Sequence, residues 1–303
     1  MTKKEPRIKI FVSHHKPWYI YEDDIYIPIQ VGKKNAKVDL WILWDDTWDN
    51  ISDKNSNYAE LTAQYWVWKN YDLSDVDYVG FCHYRRYMTY CYKPNFFKYL
   101  FAKNPFSSIE WKNNLLWKLP AFKEGNCIFN FDKKVLQHNK LDLQKYISSR
   151  EIDLYTVKRE VILSWHIKSF FWIKCKQCTD FWFLWSHKKL KNEAINLLLE
   201  IYPNYKNIIE EVNETYKKYY PLHRHIYIMK KDLYLEYMDW LFNYLFSFEK
   251  YIKDNNIDTS KINKWDTRFM GIFSETLINY RVKFKEKNDN IKTLWKWNLI
   301  LFN

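Results

Sequence analysis

Residues 77–88, DYVGFCHYRRYM, combine the pattern of a buried strand with a polar group at its carboxyl end. Tyr78 to Cys82 is apolar or aromatic except at Gly80, where a missing side chain lets a neighbour approach the backbone closely. The pattern changes abruptly at His83. In an open α/β sheet, ligands bind at the carboxyl ends of the strands. This stretch therefore predicts a strand that ends in a binding site.

Two adjacent arginines, Arg85 and Arg86, follow the predicted strand directly. Each guanidinium is a planar, permanently charged fork that matches the geometry of phosphate oxygens. The pair therefore predicts an anionic ligand, and Arg85, Arg86 and His83 are the first catalytic candidates. The alternative is an arginine pair on a solvated loop, with His83 packed in the core.

Composition limits the class of protein to which the 303-residue chain can belong. It is long enough for one large α/β domain or two smaller ones. With four glycines and no GxGxxG or GxxxxGK[ST] motif, phosphate binding by a glycine-rich loop is not expected. The net charge of +12 favours partners that carry phosphate or an anionic membrane surface. An odd number of cysteines, five, and the absence of a signal-peptide pattern predict a reducing, cytoplasmic location.

Apolar patterning along the chain predicts three strands, a helix and a fourth strand, followed by a mostly helical second half. This order is typical of an α/β fold. Predicted strands cover residues 8–13, 25–31, 39–46, 77–82, 126–131 and 225–229, and predicted helices cover about 58–68, much of 140–190, 192–202, 205–219, 231–252 and 267–282.

Four blocks of the sequence stand out: NISDKNSNYAELTAQYWVWKN (50–70), DYVGFCHYRRYM (77–88), HIYIMKKDLYLEYMDWLF (225–242) and RFMGIFSETLINYRV (268–282). Together these blocks resemble the bacterial polysaccharide glycosyltransferases of domain-of-unknown-function family 4422. The family usually has Asn where His225 stands and Arg where Thr276 stands. Both departures lie on the side expected to bind the acceptor.

This resemblance implies an α/β fold with a GT-A-like (Rossmann-like) nucleotide-sugar-binding sheet and a helix-rich C-terminal half. It implies one glycosyltransferase domain over 1–303, with a donor-binding part at about 1–135 and a helical acceptor-side part at about 136–303. The expected enzyme is a hexosyltransferase that uses a nucleotide sugar, for instance UDP-galactose. Its acceptor would be a lipid-linked or oligosaccharide glycan of capsule or lipopolysaccharide, at the cytoplasmic face of the inner membrane.

GT-A enzymes generally bind a divalent metal through an Asp-x-Asp motif at the end of a central strand, where the metal contacts the donor diphosphate. The resemblance implies that the matching strand end in this chain is the one that carries His83, Tyr84 and Arg85. The Asp-x-Asp of this chain, Asp75-Val76-Asp77, precedes its strand and so lies at the wrong end. We therefore expect the arginines to stabilise the leaving diphosphate without a metal. The alternative is that Asp45 or Asp46, or His83 with a carboxylate, binds Mg²⁺ or Mn²⁺.

The resemblance also implies positions for the donor and for a base. The predicted donor-binding residues are His14, His15, Asn50, Ser52, Asn55, Glu60, Thr62 and Tyr84. An inverting transfer needs a carboxylate base near the acceptor hydroxyl, and Asp239 and Asp132 are the candidates. For both, a surface carboxylate without a catalytic role is the alternative.

Two other classes of protein also fit the composition. A basic, aromatic-rich chain suits stacking on single-stranded nucleic acid, although no recognised binding module is present and we expect no nucleic-acid partner. A carbohydrate-binding protein without catalytic activity is the other alternative. The C-terminal tail, with Lys287, Lys292 and Lys296 beside aromatic and aliphatic residues 295–302, predicts peripheral membrane binding, or else a segment packed on the domain.

Overall fold

The computed structural model describes residues 5–89, 127–129, 133–157, 188–216, 225–257 and 268–302. The strands of this part are β1 (Ile8–His14), β2 (Tyr26–Gln30), β3 (Leu43–Trp44), β4 (Tyr78–His83), β5 (Arg86–Thr89), β6 (Cys127–Phe129), β7 (Leu154–Val157), β8 (Tyr227–Lys230) and β9 (Thr293–Phe302). Its α-helices are α1 (Asn55–Tyr58), α2 (Leu61–Asn70), α3 (Lys133–Ser148), α4 (Lys188–Ile201), α5 (Lys206–Tyr216), α6 (Lys231–Asp254) and α7 (Phe269–Asn288).

All nine strands join one mixed sheet. Strands β3, β2, β1 and β4 are parallel and adjacent in that order, and β8 runs antiparallel to β4 on its other side. Strand β9 pairs with β5, β6 and β7. The predicted α/β class is confirmed, with helices on both faces of the sheet.

The strand order reverses between β1 and β4. The chain moves from β1 outward to β2 and β3, and then returns to add β4 on the opposite side of β1. Such a reversal opens a crevice at the carboxyl ends of the two central strands. Here Ser13 of β1 is the register partner of His83 of β4, so the polar end of the opening stretch lies at this switch point.

Strand alternation distributes the core between the two faces of the sheet. Along β1, Phe11 packs on one face with residues of α2, α6 and α7, whereas Ile10 and Val12 pack on the other with Leu136 and Leu143 of α3. A strand whose two faces are both covered is apolar on both faces, as β1 is at the buried residues Ile8, Ile10, Phe11 and Val12. The core therefore covers β1 and β4 on both faces beneath the switch point.

For the C-terminal tail, the backbone of Thr293–Phe302 forms β9 within the sheet, which agrees with the alternative of a segment packed on the domain, and membrane binding stays a prediction. Two local predictions were wrong. The apolar stretch 39–46 forms only the two-residue strand β3. The helix predicted over 58–68 is two helices, since Ala59 adopts φ 51° and ψ −131° and interrupts it.

Candidate functional site

The switch point gathers acidic and imidazole side chains from four separate segments. Glu60 is the N-cap residue of α2, Glu275 lies in α7, and His225 lies in the turn just before β8. Since β8 is antiparallel to β4, His225 lies at the same sheet edge as His83. Ligand atoms of Glu60, His225 and Glu275 all lie within 4.8 Å of one another. His83 Nε2 lies 3.7 Å from Glu60 Oε1.

Glu60 is oriented by the backbone turn at Ala59. The Asn55 side-chain amide donates to the Ala59 carbonyl at 2.7 Å and to Thr62 Oγ1 at 3.2 Å, and Thr62 Oγ1 donates to the same carbonyl at 3.1 Å. Asn57 Oδ1 accepts from the backbone N–H of Met270, which joins the turn to α7. In this arrangement Asn55 and Thr62, both predicted donor-binding residues, hold the turn that presents Glu60.

Replacing Ala59 with glycine should stabilise the protein. A positive φ costs a residue with a β-carbon on the order of 1–3 kcal/mol, while glycine adds less than about 1 kcal/mol of unfolded-chain entropy. We expect Ala59→Gly to raise the free energy of unfolding by about 1 kcal/mol, measured by urea denaturation. The matched control, Ala63→Gly inside α2, should lower it by about 1 kcal/mol or more. Destabilisation of equal size in both variants would contradict this description of the turn.

His225 is buried, and one nitrogen of its imidazole ring, Nε2, contacts polar groups of α7. Nε2 lies 2.8 Å from Ser274 Oγ and 3.2 Å from the Gly271 carbonyl, to which Ser274 Oγ itself donates at 2.6 Å. Nδ1 is buried without a hydrogen-bond partner among the described residues. The backbone at His225 has φ 50°, so the tight entry into β8 fixes where this ring lies.

Cationic side chains lie over the aromatic rings of Tyr84 and Trp18 near the carboxyl ends of β1 and β4. The Arg85 guanidinium lies 5.2 Å from the ring centre of Tyr84 and 5.7 Å from that of Trp18, and Lys16 Nζ lies 6.0 Å from Tyr84. Cations over aromatic faces are attracted to the ring quadrupole, which holds them in place. The Tyr84 N–H donates to the Ser13 carbonyl, so the turn that carries Arg85 is tied to β1.

Several cationic side chains lie close enough to His15 to act on its pKa. Burial lowers that pKa first, followed by the charges of Lys16, Arg268, His83 and Arg85. Arg268 caps the N-terminus of α7, where the helix dipole adds partial positive charge. Lys16, Arg85 and Arg268, hereafter the cationic group, form an environment suited to a phosphate group.

His14 ends β1 at the switch point and is completely buried. Both of its ring nitrogens lack hydrogen-bond partners among the described residues, and its ring centre lies 5.5 Å from that of Tyr84. Burial, and then the charge of His15, lowers the pKa of His14 to about 4. His14 is therefore neutral at pH 7.

This depressed pKa predicts a loss of stability in acid. The unfolded chain takes up a proton near pH 6.5 but the folded chain only near pH 4, so the stabilisation is present above pH 6.5 and declines below it. We expect the free energy of unfolding to fall by about 2 kcal/mol between pH 7 and pH 5 from this group alone. His14→Gln should remove that slope, and His138→Gln on the surface of α3 should keep it. An unchanged slope in His14→Gln would refute the assignment.

The loop over residues 50–55 is held by internal bonds. The Asp45 carboxylate, which is fully buried, accepts from Ser52 Oγ at 2.6 Å and from the backbone N–H groups of Gly32 and Lys33 at 2.8 and 3.0 Å. The Asn50 side chain accepts from the Ser52 N–H at 3.2 Å. Ser52 and Asp45 thus link the ends of β2 and β3. Glu60, which follows this loop, contacts His83.

The Asp75-Val76-Asp77 motif is at the opposite edge of the sheet. Asp77 immediately precedes β4, and both carboxylates pair with Arg7, which precedes β1. An aspartate pair at the amino ends of parallel strands, already neutralised by arginine, does not fit a diphosphate-bound metal. The sequence-based exclusion of this motif agrees with its position.

The remaining catalytic candidates lie in different surroundings. Arg86 opens β5 and pairs in register with His83 and Leu301. Asp239 is exposed on α6, near Tyr202, and no contact in the described part of the chain joins it to the switch point. Asp132 lies outside the described residues. The catalytic roles of Arg86 and Asp239 stay predictions.

Several site residues were not candidates in the sequence analysis. Glu275 and Arg268 stand in the block 268–282 that carries the family resemblance, and Lys16 and Trp18 follow the histidine pair after β1. Nothing in a linear sequence pattern shows that α7 returns to the end of β4.

The chain matches the family described as "Domain of unknown function (DUF4422)" over residues 9–287. It is a member of the DUF4422 family. The structure is also similar to the solved apo structure of WbbM, a bifunctional glycosyltransferase, with 26% sequence identity and a TM-score of 0.67. The similarity covers 97% of this chain and 45% of that one, so this DUF4422 chain spans less than half of WbbM. No curated protein matches it.

These similarities confirm the family and the α/β fold that the sequence predicted for this DUF4422 protein. In the part of the chain that the structure describes, none of the helices has the length and apolar character needed to cross a membrane.

Proposed function

We propose that this DUF4422 protein is a glycosyltransferase that takes its sugar from a nucleotide-sugar donor. The observation that carries the proposal is the cationic group, whose charges act on His15 directly after β1, beside the point where the strand order reverses. Crevices at such points bind nucleotides in open α/β sheets. The similarity to WbbM over nearly the whole chain supports transferase chemistry.

In this proposal the cationic group binds the donor diphosphate and stabilises it as it leaves. Breaking the bond between sugar and phosphate adds negative charge to the phosphate oxygens, and fixed guanidinium groups act on that charge without reorganising. Arg85 is the central residue, because its turn is tied to β1 and its guanidinium packs on Tyr84 and Trp18. Neutral His14 would provide a hydrogen bond without adding charge.

The same proposal includes the type of sheet, the catalytic base, the donor and the acceptor. The sheet would be a GT-A-like donor platform in a single domain, with the acceptor entering from the part after residue 135. A carboxylate near the acceptor hydroxyl would serve as the base, for which Asp239 and Asp132 stay the candidates. The donor would be a UDP-hexose such as UDP-galactose, and the acceptor a capsule or lipopolysaccharide glycan at the cytoplasmic membrane face.

A thermal-shift panel tests donor binding. A ligand that binds only the folded state raises the midpoint temperature with the logarithm of its concentration. We expect UDP-sugars to raise that temperature more than the free sugars or a single-stranded oligonucleotide of equal charge. If the oligonucleotide stabilises most, the nucleic-acid alternative is favoured; if only free glycans do, the chain is a carbohydrate-binding protein.

A further inference from the structure

Glu60, His225 and Glu275 come from three separate segments and meet at one point of the sheet edge. Their ligand atoms lie within 4.8 Å of one another, and His225 is almost completely buried, while both glutamates are partly buried. Atoms that bind one metal ion at 2.0–2.2 Å are separated by roughly 3–4 Å, so small side-chain rotations would bring all three into range.

The hydrogen bonds of His225 decide which nitrogen is available. Ser274 Oγ donates its proton to the Gly271 carbonyl at 2.6 Å, so it can only accept from His225 Nε2. The Gly271 carbonyl is itself an acceptor. Nε2 therefore carries the proton, and in a neutral imidazole Nδ1 then has a lone pair. That Nδ1 is buried and has no hydrogen-bond partner in the described part of the chain.

This arrangement resembles the support that metal-binding histidines usually have. Their second ring nitrogen donates to a carbonyl or carboxylate, which fixes the tautomer and the direction of the ring. Here a backbone carbonyl and a serine of α7 supply that support, and Glu275 follows Ser274 in the same helix. The Ala59 turn, held by Asn55 and Thr62, supplies the rigidity on the Glu60 side.

We propose that Glu60, His225 and Glu275 bind one divalent transition-metal cation at the switch point, through the two carboxylates and His225 Nδ1. Mixed oxygen and imidazole ligands favour a cation such as Mn²⁺ over Mg²⁺, which prefers oxygen ligands alone. His83, 3.7 Å from Glu60, lies beside the site. The cation can bind whether or not the proposed function is correct. A role for the cation as a partner of the donor diphosphate rests on the proposed function.

Mn²⁺ binding by the metal-stripped full-length chain tests the site. Unbound Mn²⁺ is measured by electron paramagnetic resonance during a titration, and nitrogen coupling to the bound ion is measured by its electron spin echo modulation. We expect one saturable site with imidazole nitrogen coupling. Glu60→Gln and Glu275→Gln keep side-chain shape but remove a charged ligand, and each should lower affinity at least about tenfold.

His225→Asn separates the ligand role from a structural one. Asparagine tolerates the positive φ at this position, so the variant should fold while losing the nitrogen coupling and binding Mn²⁺ more weakly. The control Glu210→Gln, an exposed carboxylate on α5, removes one charge elsewhere and should bind like the wild type. The proposal is overturned if no saturable site appears, if both glutamine variants bind normally, or if the nitrogen coupling persists in His225→Asn.

Two further outcomes distinguish this proposal from the proposed function. Nucleotide-sugar turnover that is complete in excess chelator, together with an absence of Mn²⁺ binding, would reject the metal site and leave the glycosyltransferase standing. Mn²⁺ bound as expected, in a chain that neither binds nor cleaves any nucleotide sugar, would leave the site standing and reject the glycosyltransferase.

Discussion

Arg85→Ala is expected to reduce sugar transfer roughly a hundredfold while leaving the fold intact. Loss of one contact to charge that develops in a transition state costs about 3 kcal/mol, which corresponds to this factor in rate. Arg85 lies in the turn after β4, with its guanidinium over Tyr84 and Trp18 rather than inside the core, so truncation leaves no core cavity. Transfer rates at saturating donor measure the effect.

Two further variants show whether the loss belongs to the guanidinium. Arg85→Lys should recover only part of the rate, because an ammonium cannot form the two parallel hydrogen bonds of the arginine fork. Arg150→Ala, which removes an arginine next to Tyr146 of α3, should transfer sugar like the wild type. Wild-type turnover in Arg85→Ala would exclude the turn after β4 from the active site.

Deleting residues 293–303 should abolish folding rather than release the protein from a membrane. Strand β9 pairs with β5, β6 and β7, and its removal leaves the hydrogen-bonding groups of three strand edges without their partners. Unpaired backbone groups in a sheet cost free energy and expose edges that aggregate. We expect the truncated chain to be insoluble, or soluble without a cooperative unfolding transition in circular dichroism.

The double variant Lys287→Ala/Lys292→Ala is the control for this deletion. It removes two lysines of the predicted membrane-binding tail and keeps β9. Lys287 pairs with Glu211 on the surface, so its loss should cost less than about 1 kcal/mol. A cooperative fold in the truncated chain would contradict the position of β9 in the sheet.

Strands that are mostly apolar on both faces could be predicted, because both faces of the sheet are covered. For this reason the predicted strands over 8–13, 25–31 and 77–82 correspond to β1, β2 and β4, with ends that differ by one residue at most. Strand β9 could not be recognised, since its Lys and Asn residues interrupt the apolar run and its partners come from residues 86–157. Nothing at Ala59 indicates a helix break either, because that turn is held by bonds from Asn55, Thr62 and α7 rather than by Gly or Pro.

The candidate site was predicted only where it is local in sequence. His83, Tyr84 and Arg85 follow one strand, and the rule that ligands bind at carboxyl ends located them. The pairing of Glu60 with His225 and Glu275 joins residues more than 160 and 200 positions apart, which no periodicity encodes. The antiparallel entry of β8 beside β4 brings them together, and this strand direction is a property of the tertiary fold.

Release of nucleoside diphosphate from a nucleotide sugar tests the central claim most directly. The purified chain is incubated with a panel of nucleotide sugars, with and without glycan acceptors and Mn²⁺, and the diphosphate is quantified against the Arg85→Ala variant. The proposed function predicts diphosphate release from at least one donor, faster with acceptor and strongly reduced in the variant. No release from any donor, or equal release by wild type and variant, would contradict it.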